Sequence, residues 1–271
     1  MLKNRKWILQ NRLIHLHGTV QILFWYLPLI LLKPKIPLYA TFHGYERDPV
    51  PFYWIFFRKI ARLLVKGSIC IGHFIPDIYG IKCDFITNGA VRRQATEQNE
   101  RNGAVFAGRL ELDTGFQEHL EALRVLKQEK GREITLRVCG TGSLMNYAKN
   151  FAEKNQLDVR LLGWVDNVWK IIAKSEIMLA GGYLSILEAM STGCPVIGIA
   201  PSRLKHSYLM SIIKEGGPLS LQTRPSGVAE EIDRLLRDAE LYSKISERSR
   251  KFALKRSWRR MAEHYLKLWR N

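Results

Sequence analysis

The stretch Ile177-Met-Leu-Ala-Gly-Gly-Tyr-Leu-Ser-Ile-Leu-Glu-Ala-Met-Ser-Thr-Gly-Cys-Pro-Val-Ile-Gly-Ile199 holds a complete structural unit. Ile177–Ala180 is a short apolar run suited to a buried strand, and Gly181-Gly182 interrupts it. From about Leu184 to Thr192 the apolar residues recur at helical spacing. Gly193 and Pro195 end the helix, and Pro195–Ile199 is a second apolar run. Strand, glycine loop, helix and strand in so short a span predict parallel strands joined by a covering helix.

The same rhythm extends outward. Upstream lie predicted strands at Ala104–Ala107, Ile134–Val138 and Val159–Leu162, with helices at Phe116–Glu129, Ser143–Lys154 and Val168–Ala173. Downstream the chain finishes in helices, the last from about Ser243 to Arg270. A second, shorter set precedes these. Strands are expected at Arg12–His17, Ile36–Phe42, Ser68–Ile71 and Cys83–Ile86, with helices at Thr19–Lys33 and Pro51–Lys66. In the latter helix, Arg58, Lys59, Arg62 and Lys66 read as a polar stripe. Residues 91–103 are polar and lack an apolar period, which marks a linker. Two domains are therefore expected, 1–90 and 104–250, with a C-terminal helix over 251–271 packing back on the first.

The composition narrows the classes of function. The chain has 271 residues, with 46% hydrophobic and 25% charged, as in a folded protein rather than a disordered one. Four scattered cysteines, none in a C-x-x-C pair, imply neither a zinc site nor a disulfide framework, and suit a reducing, cytoplasmic setting. The apolar run Ile22–Leu32 contains Pro28 and is too short for a membrane span, which needs roughly 20 residues. No convincing signal peptide precedes it.

The formal net charge is +17, and from Met1 to Arg93 fourteen basic residues face only four acidic ones. Such a field favours anionic membrane surfaces, nucleic acids or phosphorylated substrates. No base-stacking platform or reader motif accompanies it, so no specific nucleic-acid partner is expected. The basic, aromatic helix Pro51–Lys66 and the apolar run Ile22–Leu32 leave two readings open: docking on an anionic membrane, or simple cover for the sheet.

In open parallel sheets, ligands gather beyond the carboxyl ends of the strands, where helix N-termini suit phosphate. Three glycine-bearing loops occupy such ends: Gly108-Arg109, Gly140-Thr-Gly142 and Gly181-Gly182. A glycine after a strand is ordinarily only a turn. Three in one domain, one followed by an arginine able to pair with a diphosphate, point to a phosphate pocket.

These loops carry a family resemblance. Phe106-Ala-Gly-Arg-Leu110 with Asp113-Thr-Gly115 resembles the F-x-G-R-L…E-K-G element of the group 1 (family 4) glycosyltransferases. Cys139-Gly-Thr-Gly-Ser-Leu144 resembles their V-G-x-G-P-L turn, and Leu162-Gly-Trp-Val165 their L-G-F/Y-V loop. Ala180 to Met190 resembles E-G-F-G-L-x-x-L-E-A-M, with Gly193-Cys-Pro-Val196 for G-x-P-V, and Ser257-Trp258 resembles the S-W that opens the last helix. In the first half, Thr41-Phe-His-Gly-Tyr-Glu46 is similar to T-x-H-G-x-E, and His15 and His17 to the H-x-H-G strand. The similarity runs from about Leu13 to the end and is most specific from Ala104 to Ile199.

The resemblance implies an α/β protein of the GT-B type, with two Rossmann-like parallel-sheet domains facing a cleft, the N-terminal one abbreviated. It implies transfer of a sugar from a nucleotide-diphosphate sugar to an acceptor, with retention of configuration and without metal or cofactor. Gly108, Arg109, Gly140 and Gly142 would meet the diphosphate. Gly163, Trp164 and Val165 would read the base through main-chain groups, leaving its identity open. Tyr183, Leu184 and Ser185 would present backbone to sugar and phosphates. Glu188 would hold the ribose hydroxyls, since a carboxylate accepts two such bonds. His43 would contact the donor sugar, with general-base help a further role.

Three departures qualify this. Thr114 stands where the family has lysine, and Ala180 where it has the first glutamate. The opening strand, glycine loop and helix of the first domain are expected to be missing. A sugar-nucleotide-binding relative with weak or absent catalysis is therefore the alternative. A homo-oligomer stays open as a partner, because a second copy could replace the missing part.

Overall fold

The computed structural model describes residues 4–30, 36–44, 49–92 and 100–270, with the backbone alone for Arg5, Leu9, Leu29 and Ile30. The end of the predicted helix at Lys33, Glu46 of the Thr41–Glu46 stretch and 93–99 of the linker lie outside these residues. The chain divides into two compact units. Met1–Asn88 and Arg259–Asn271 form one, and Gly89–Trp258 the other. The boundaries thus fall at 88/89 and 258/259, against 90/91 and 250/251 in the sequence reading.

Unit 1 begins with α1 (Arg5–Leu9) and β1 (Ile14–His17). The helix expected from Thr19 is a π-helical turn at Gln21–Tyr26 that continues into α2 (Leu27–Ile30). β2 (Leu38–Phe42), α3 (Phe52–Leu63), β3 (Gly67–Ile71), α4 (Phe74–Tyr79) and β4 (Phe85–Thr87) follow. The strands form one parallel sheet in the order β1-β2-β3-β4. Every residue of β2 is buried, as expected of a parallel strand covered on both faces. The last helix of the chain supplies part of that cover, for its Leu268 packs with Tyr39 and Ile69.

Helix α3 departs from its sequence reading at Arg58, while Lys59 and Lys66 face outward as expected. Arg58, taken as part of a polar stripe, is 1% exposed and the largest fully buried side chain among the described residues. Its guanidinium lies 3.8 Å from the centre of the Tyr79 ring. Nε donates to Thr19 Oγ1 at 3.2 Å and Nη1 to the Gly44 carbonyl at 3.1 Å. Buried charge is tolerated only when its donors are satisfied, and these partners do so. The outward positions Phe52, Phe56, Lys59, Leu63 and Lys66 recur every three or four residues. Phe52 is 82% and Leu63 84% exposed.

The cysteine reading is also corrected. Cys70 of β3 and Cys83, before β4, are joined by a disulfide with Cα atoms 5.9 Å apart. Their separation of thirteen residues carries no signature, because the pairing depends on β3 lying beside β4. Cys139 and Cys194 are free and buried.

Unit 2 runs β5 (Ala104–Ala107), α5 (Phe116–Lys130), β6 (Leu136–Cys139), α6 (Met145–Asn155), β7 (Val159–Gly163), α7 (Val168–Ala173), β8 (Ile177–Ala180), α8 (Tyr183–Thr192), β9 (Val196–Ile199), α9 (Arg203–Lys214), β10 (Leu219–Gln222), α10 (Pro225–Arg237) and α11 (Ala239–Leu254). The single long terminal helix expected over Ser243–Arg270 is two, α11 and α12 (Trp258–Arg270), broken at Lys255–Ser257. The six parallel strands lie in the order β10-β9-β8-β5-β6-β7. This is the dinucleotide-fold order, whose direction reverses between β5 and β8, where ligands bind. Phe106, Leu136, Val138, Leu179 and Ile197 of the sheet pack with Phe116, Leu120 and Leu126 of α5 and with Val228 and Ile232 of α10.

Candidate functional site

The loops leaving β5, β6, β7 and β8 meet at the switch point of unit 2. Gly108 N–H donates to Cys139 O at 3.0 Å, and Gly140 N–H to Gly163 O at 2.7 Å. Leu110 N–H reaches Thr141 O, and Leu144 N–H reaches Leu110 O, both at 3.0 Å. Contact is so close that a Cβ on Gly140 would collide with the Gly108 carbonyl oxygen, and one on Gly142 with that of Leu110. A Cβ on Gly108 would lie 3.8 Å from Gly181 Cα. Gly108, Gly140, Gly142, Gly163 and Gly181 therefore form one main-chain surface.

Side chains decorate it. Arg109 is exposed and pairs with Asp113, Nη2 to Oδ2 at 2.9 Å. Such an exposed pair is worth little and can be exchanged for a ligand. Glu111 accepts the Ser143 N–H at 3.0 Å and its hydroxyl at 2.6 Å, which hold its carboxyl below the usual range and tie the β5 and β6 loops together. Trp164 is largely exposed, with Nε1 donating to Asp166 at 3.1 Å; Val165 beside it is half-buried.

Helix α8 starts at this surface, with Gly182 as its first flanking residue. The helix dipole and unpaired first-turn amides suit an anion. One of those amides is already used. Tyr183 N–H donates to Tyr208 Oη at 2.9 Å, the Tyr183 hydroxyl donates to Tyr208 O at 2.7 Å, and the two rings stack. Tyr183 thus docks α8 on α9, an arrangement missed in the sequence because its partner Tyr208 lies outside the motifs, 25 residues further on. Leu184 is exposed and Ser185 caps Gly182 O. Glu188, one turn further, is half-buried, and burial raises its pKa.

Two departures acquire physical form. Ala180 is the wholly buried last residue of β8, in strand conformation rather than on an open loop. Thr114 is buried, and its hydroxyl donates locally to Glu111 O at 2.6 Å.

In unit 1 the carboxyl ends of β1 and β2 carry histidines. His17 Nδ1 and His43 Nε2 stand 2.8 Å apart with rings stacked. One nitrogen must bear the bridging proton and the other accept it, so the pair cannot be doubly charged without breaking this bond. Desolvation, then His17 and Arg58, hold His43 below its ordinary pKa. His15 Nδ1 accepts Trp269 Nε1–H at 3.0 Å, which leaves Nε2 to donate to Thr41 Oγ1 at 2.8 Å. Burial first, and then His17 and His43, lower its pKa to about 4. His15 is therefore a neutral, structural histidine, while His17 and His43 are exposed.

Among the described residues no group of three or more His, Cys, Asp or Glu side chains could hold a metal ion, and no helix is long and apolar enough to cross a membrane. The family model for glycosyl transferases group 1 matches residues 88–252. A search of curated proteins found no match. Solved structures with the same fold include a variant of S. aureus TarM in complex with fondaparinux, alpha-GlcNAc-glycerol and UDP, at 15% identity and TM-score 0.68, covering 87% of this chain and 51% of that one. The pneumococcal O-GlcNAc transferase GtfA, in complex with UDP and GlcNAc, shows 14% identity and TM-score 0.74 over 98% of this chain and 58% of that one. A glycosyltransferase from Rickettsia africae ESF-5 shows 16% identity and TM-score 0.74 over 100% and 82%. This chain spans little more than half the length of the TarM and GtfA chains.

Proposed function

We propose, since this chain belongs to the glycosyl transferases group 1 family, that it transfers a sugar from a nucleotide-diphosphate sugar to an acceptor hydroxyl with retention of configuration. The observation that carries the proposal is the meeting of four loops at the β5/β8 switch point, with Arg109 and the start of α8 beside them. Main-chain N–H groups, a helix dipole and a guanidinium neutralise a diphosphate without a metal ion, and stabilise it as a leaving group. Glu188 takes the ribose hydroxyls, and Gly163, Trp164 and Val165 the base. His43 is assigned the donor-sugar contact by the family pattern.

Calorimetric titration with UDP, GDP and ADP, followed by transfer assays with the matching labelled sugars, tests this reading. Arg109→Ala should weaken nucleoside diphosphate binding by about 30-fold or more, the worth of a charge-assisted hydrogen-bond pair. Absence of binding to all three nucleotides overturns the proposal. A second reading, donor binding without transfer, is favoured by the burial of Ala180, which leaves no carboxylate at that place for the donor sugar. Tight nucleotide binding with no transfer across a broad acceptor panel would establish it.

The outward face of α3 supports a docking surface for an anionic bilayer. Phe52, Tyr53, Phe56 and Leu63 are exposed alongside Lys59 and Lys66, and Phe24 on the neighbouring π-helical turn touches Phe57 edge-on with Trp25 exposed beside it. Apolar rings with interspersed lysines match an anionic interface, whereas a second copy of a chain at +17 would be repelled. Flotation with phosphatidylserine-containing vesicles should recover the protein and Phe52→Ser/Phe56→Ser should lose it. Equal flotation with neutral vesicles, or none with either, sinks this role.

A further inference from the structure

Lys205, outside every motif considered above, puts a cation behind the diphosphate loops of unit 2. It lies in the first turn of α9, fixed there by Ser202, whose hydroxyl accepts the Lys205 N–H at 3.2 Å. The residue is 4% exposed. Its Nζ donates to Gly181 O at 2.8 Å, at the threshold of α8, and stands 5.0 Å from the Tyr208 ring centre. No carboxylate pairs with it among the described residues. An ammonium has three protons to donate, and here one carbonyl takes one of them.

Burying a cation without a counter-ion is costly, and folded proteins avoid it unless a partner arrives. Here burial lowers the pKa of Lys205 to about 8, with Asp113 opposing that shift and Arg109 adding to it. The charge therefore survives at neutral pH. The groups around it are Arg109 and Asp113 from the β5–α5 connection, Glu118 and His119 from α5, and Tyr208 of its own helix. Glu118 Oε2 and His119 Nδ1 are themselves buried without hydrogen-bond partners. The two spare protons of Lys205 thus stand behind the switch point beside the main-chain surface of the glycine loops, whereas the Glu118 and His119 atoms are acceptors that an anion does not satisfy. The spare donors of the ammonium call for an acceptor.

We propose that Lys205 is the second diphosphate-binding cation of this site, supplying from α9 the positive charge that the family pattern places at position 114. The proposal rests on the donor reading above and adds a residue to it. Thr114 spends its hydroxyl on the Glu111 carbonyl within its own turn, so that position contributes no charge. Lys205 reaches the same neighbourhood from the opposite side of the sheet order, after β9 rather than after β5. The ammonium keeps Gly181 O and directs its remaining protons to phosphate oxygens. It thereby couples the start of α8 to the charge of the ligand.

Calorimetry with UDP, GDP and ADP on Lys205→Met, Lys205→Arg and Arg109→Ala tests this, together with the melting temperature of each unliganded variant. Lys205→Met should weaken the best-bound nucleotide by at least about tenfold, the worth of a charged hydrogen bond. Its unliganded melting temperature should hold or rise, because an unpaired buried charge has been removed. A structural role alone would instead lower the melting temperature and spare affinity. Raising the pH from about 7 to about 9.5 should weaken binding to the wild type, as Lys205 loses its proton, and spare Lys205→Arg. If Lys205→Met does not fold, that pH comparison decides, and equal pH dependence in the two proteins overturns the proposal. Normal affinity in Lys205→Met with loss in Arg109→Ala overturns Lys205 alone. No nucleotide binding to the wild type overturns the donor reading and this role with it.

Discussion

The two parallel sheets end in opposite kinds of chemistry. In unit 2 the carboxyl edge is main chain, glycine loops pressed together until their carbonyls and amides form the surface. In unit 1 the edge is side chain, with His17 and His43 hydrogen-bonded to each other and His15 locked behind them by Thr41 and Trp269. A backbone surface tolerates changes in side chains but none in Cβ. A histidine edge is the reverse, since its geometry depends on rings and protons. The comparison separates an edge whose geometry is fixed by backbone contact from one whose geometry depends on protonation.

The largest effect should come from breaking the backbone edge. Gly140→Ala places a methyl against the Gly108 carbonyl at φ +144°, outside the range of L residues. It should destabilise unit 2 by about 3 kcal/mol or more, seen as a lower melting temperature, and abolish nucleotide binding. An unchanged melting temperature would show that the loops can part.

Acid should be next in size. His15 and the fully buried His119 have pKa values of about 4 and about 3, set first by burial, against 6.5 for an unperturbed histidine. Both are therefore neutral when folded, and the unfolded chain binds more protons below pH 6.5. Their contribution is intact above that pH and is lost as pH falls through the window from 6.5 towards 4 and 3. Denaturant titrations should show stability falling across that window, and His15→Gln should flatten the profile. The smallest and most selective effect belongs to His43. His43→Ala should reduce transfer while leaving nucleoside diphosphate affinity within about twofold, because the proposed phosphate contacts all lie in unit 2. A matching loss of affinity would end the separation drawn above.

Much of unit 2 was legible in the sequence because its strands are short apolar runs closed by glycine. The strands Ala104–Ala107 and Ile177–Ala180 and the helix Val168–Ala173 have the ends expected of them. β10, with Leu219 and Leu221 alternating against Ser220 and Gln222, is too brief to stand out from a polar connection. α4 was hidden by Pro76 in its middle. Periodicity read the terminal helix as one because Lys255-Arg256-Ser257 continues a polar face without a glycine or proline, whereas the Ser257-Trp258 resemblance places the start of the last helix at the break.

Two basic residues were illegible for a shared reason. Arg58 and Lys205 occupy helical positions where a charge ordinarily faces water. Their burial depends on partners distant in sequence: Thr19 and Gly44 for one, Gly181 for the other. Periodicity reports which face a residue lies on, not what waits there. The pairing of Cys70 with Cys83 and of Tyr183 with Tyr208 escaped for the same cause.

The close approach of Gly108 and Gly140 also bears on how such a chain can change over generations. Two loops that touch through bare backbone cannot drift separately, since any side chain gained by one must be accommodated by the other in the same step. Variation is steered towards neighbours that do not touch them.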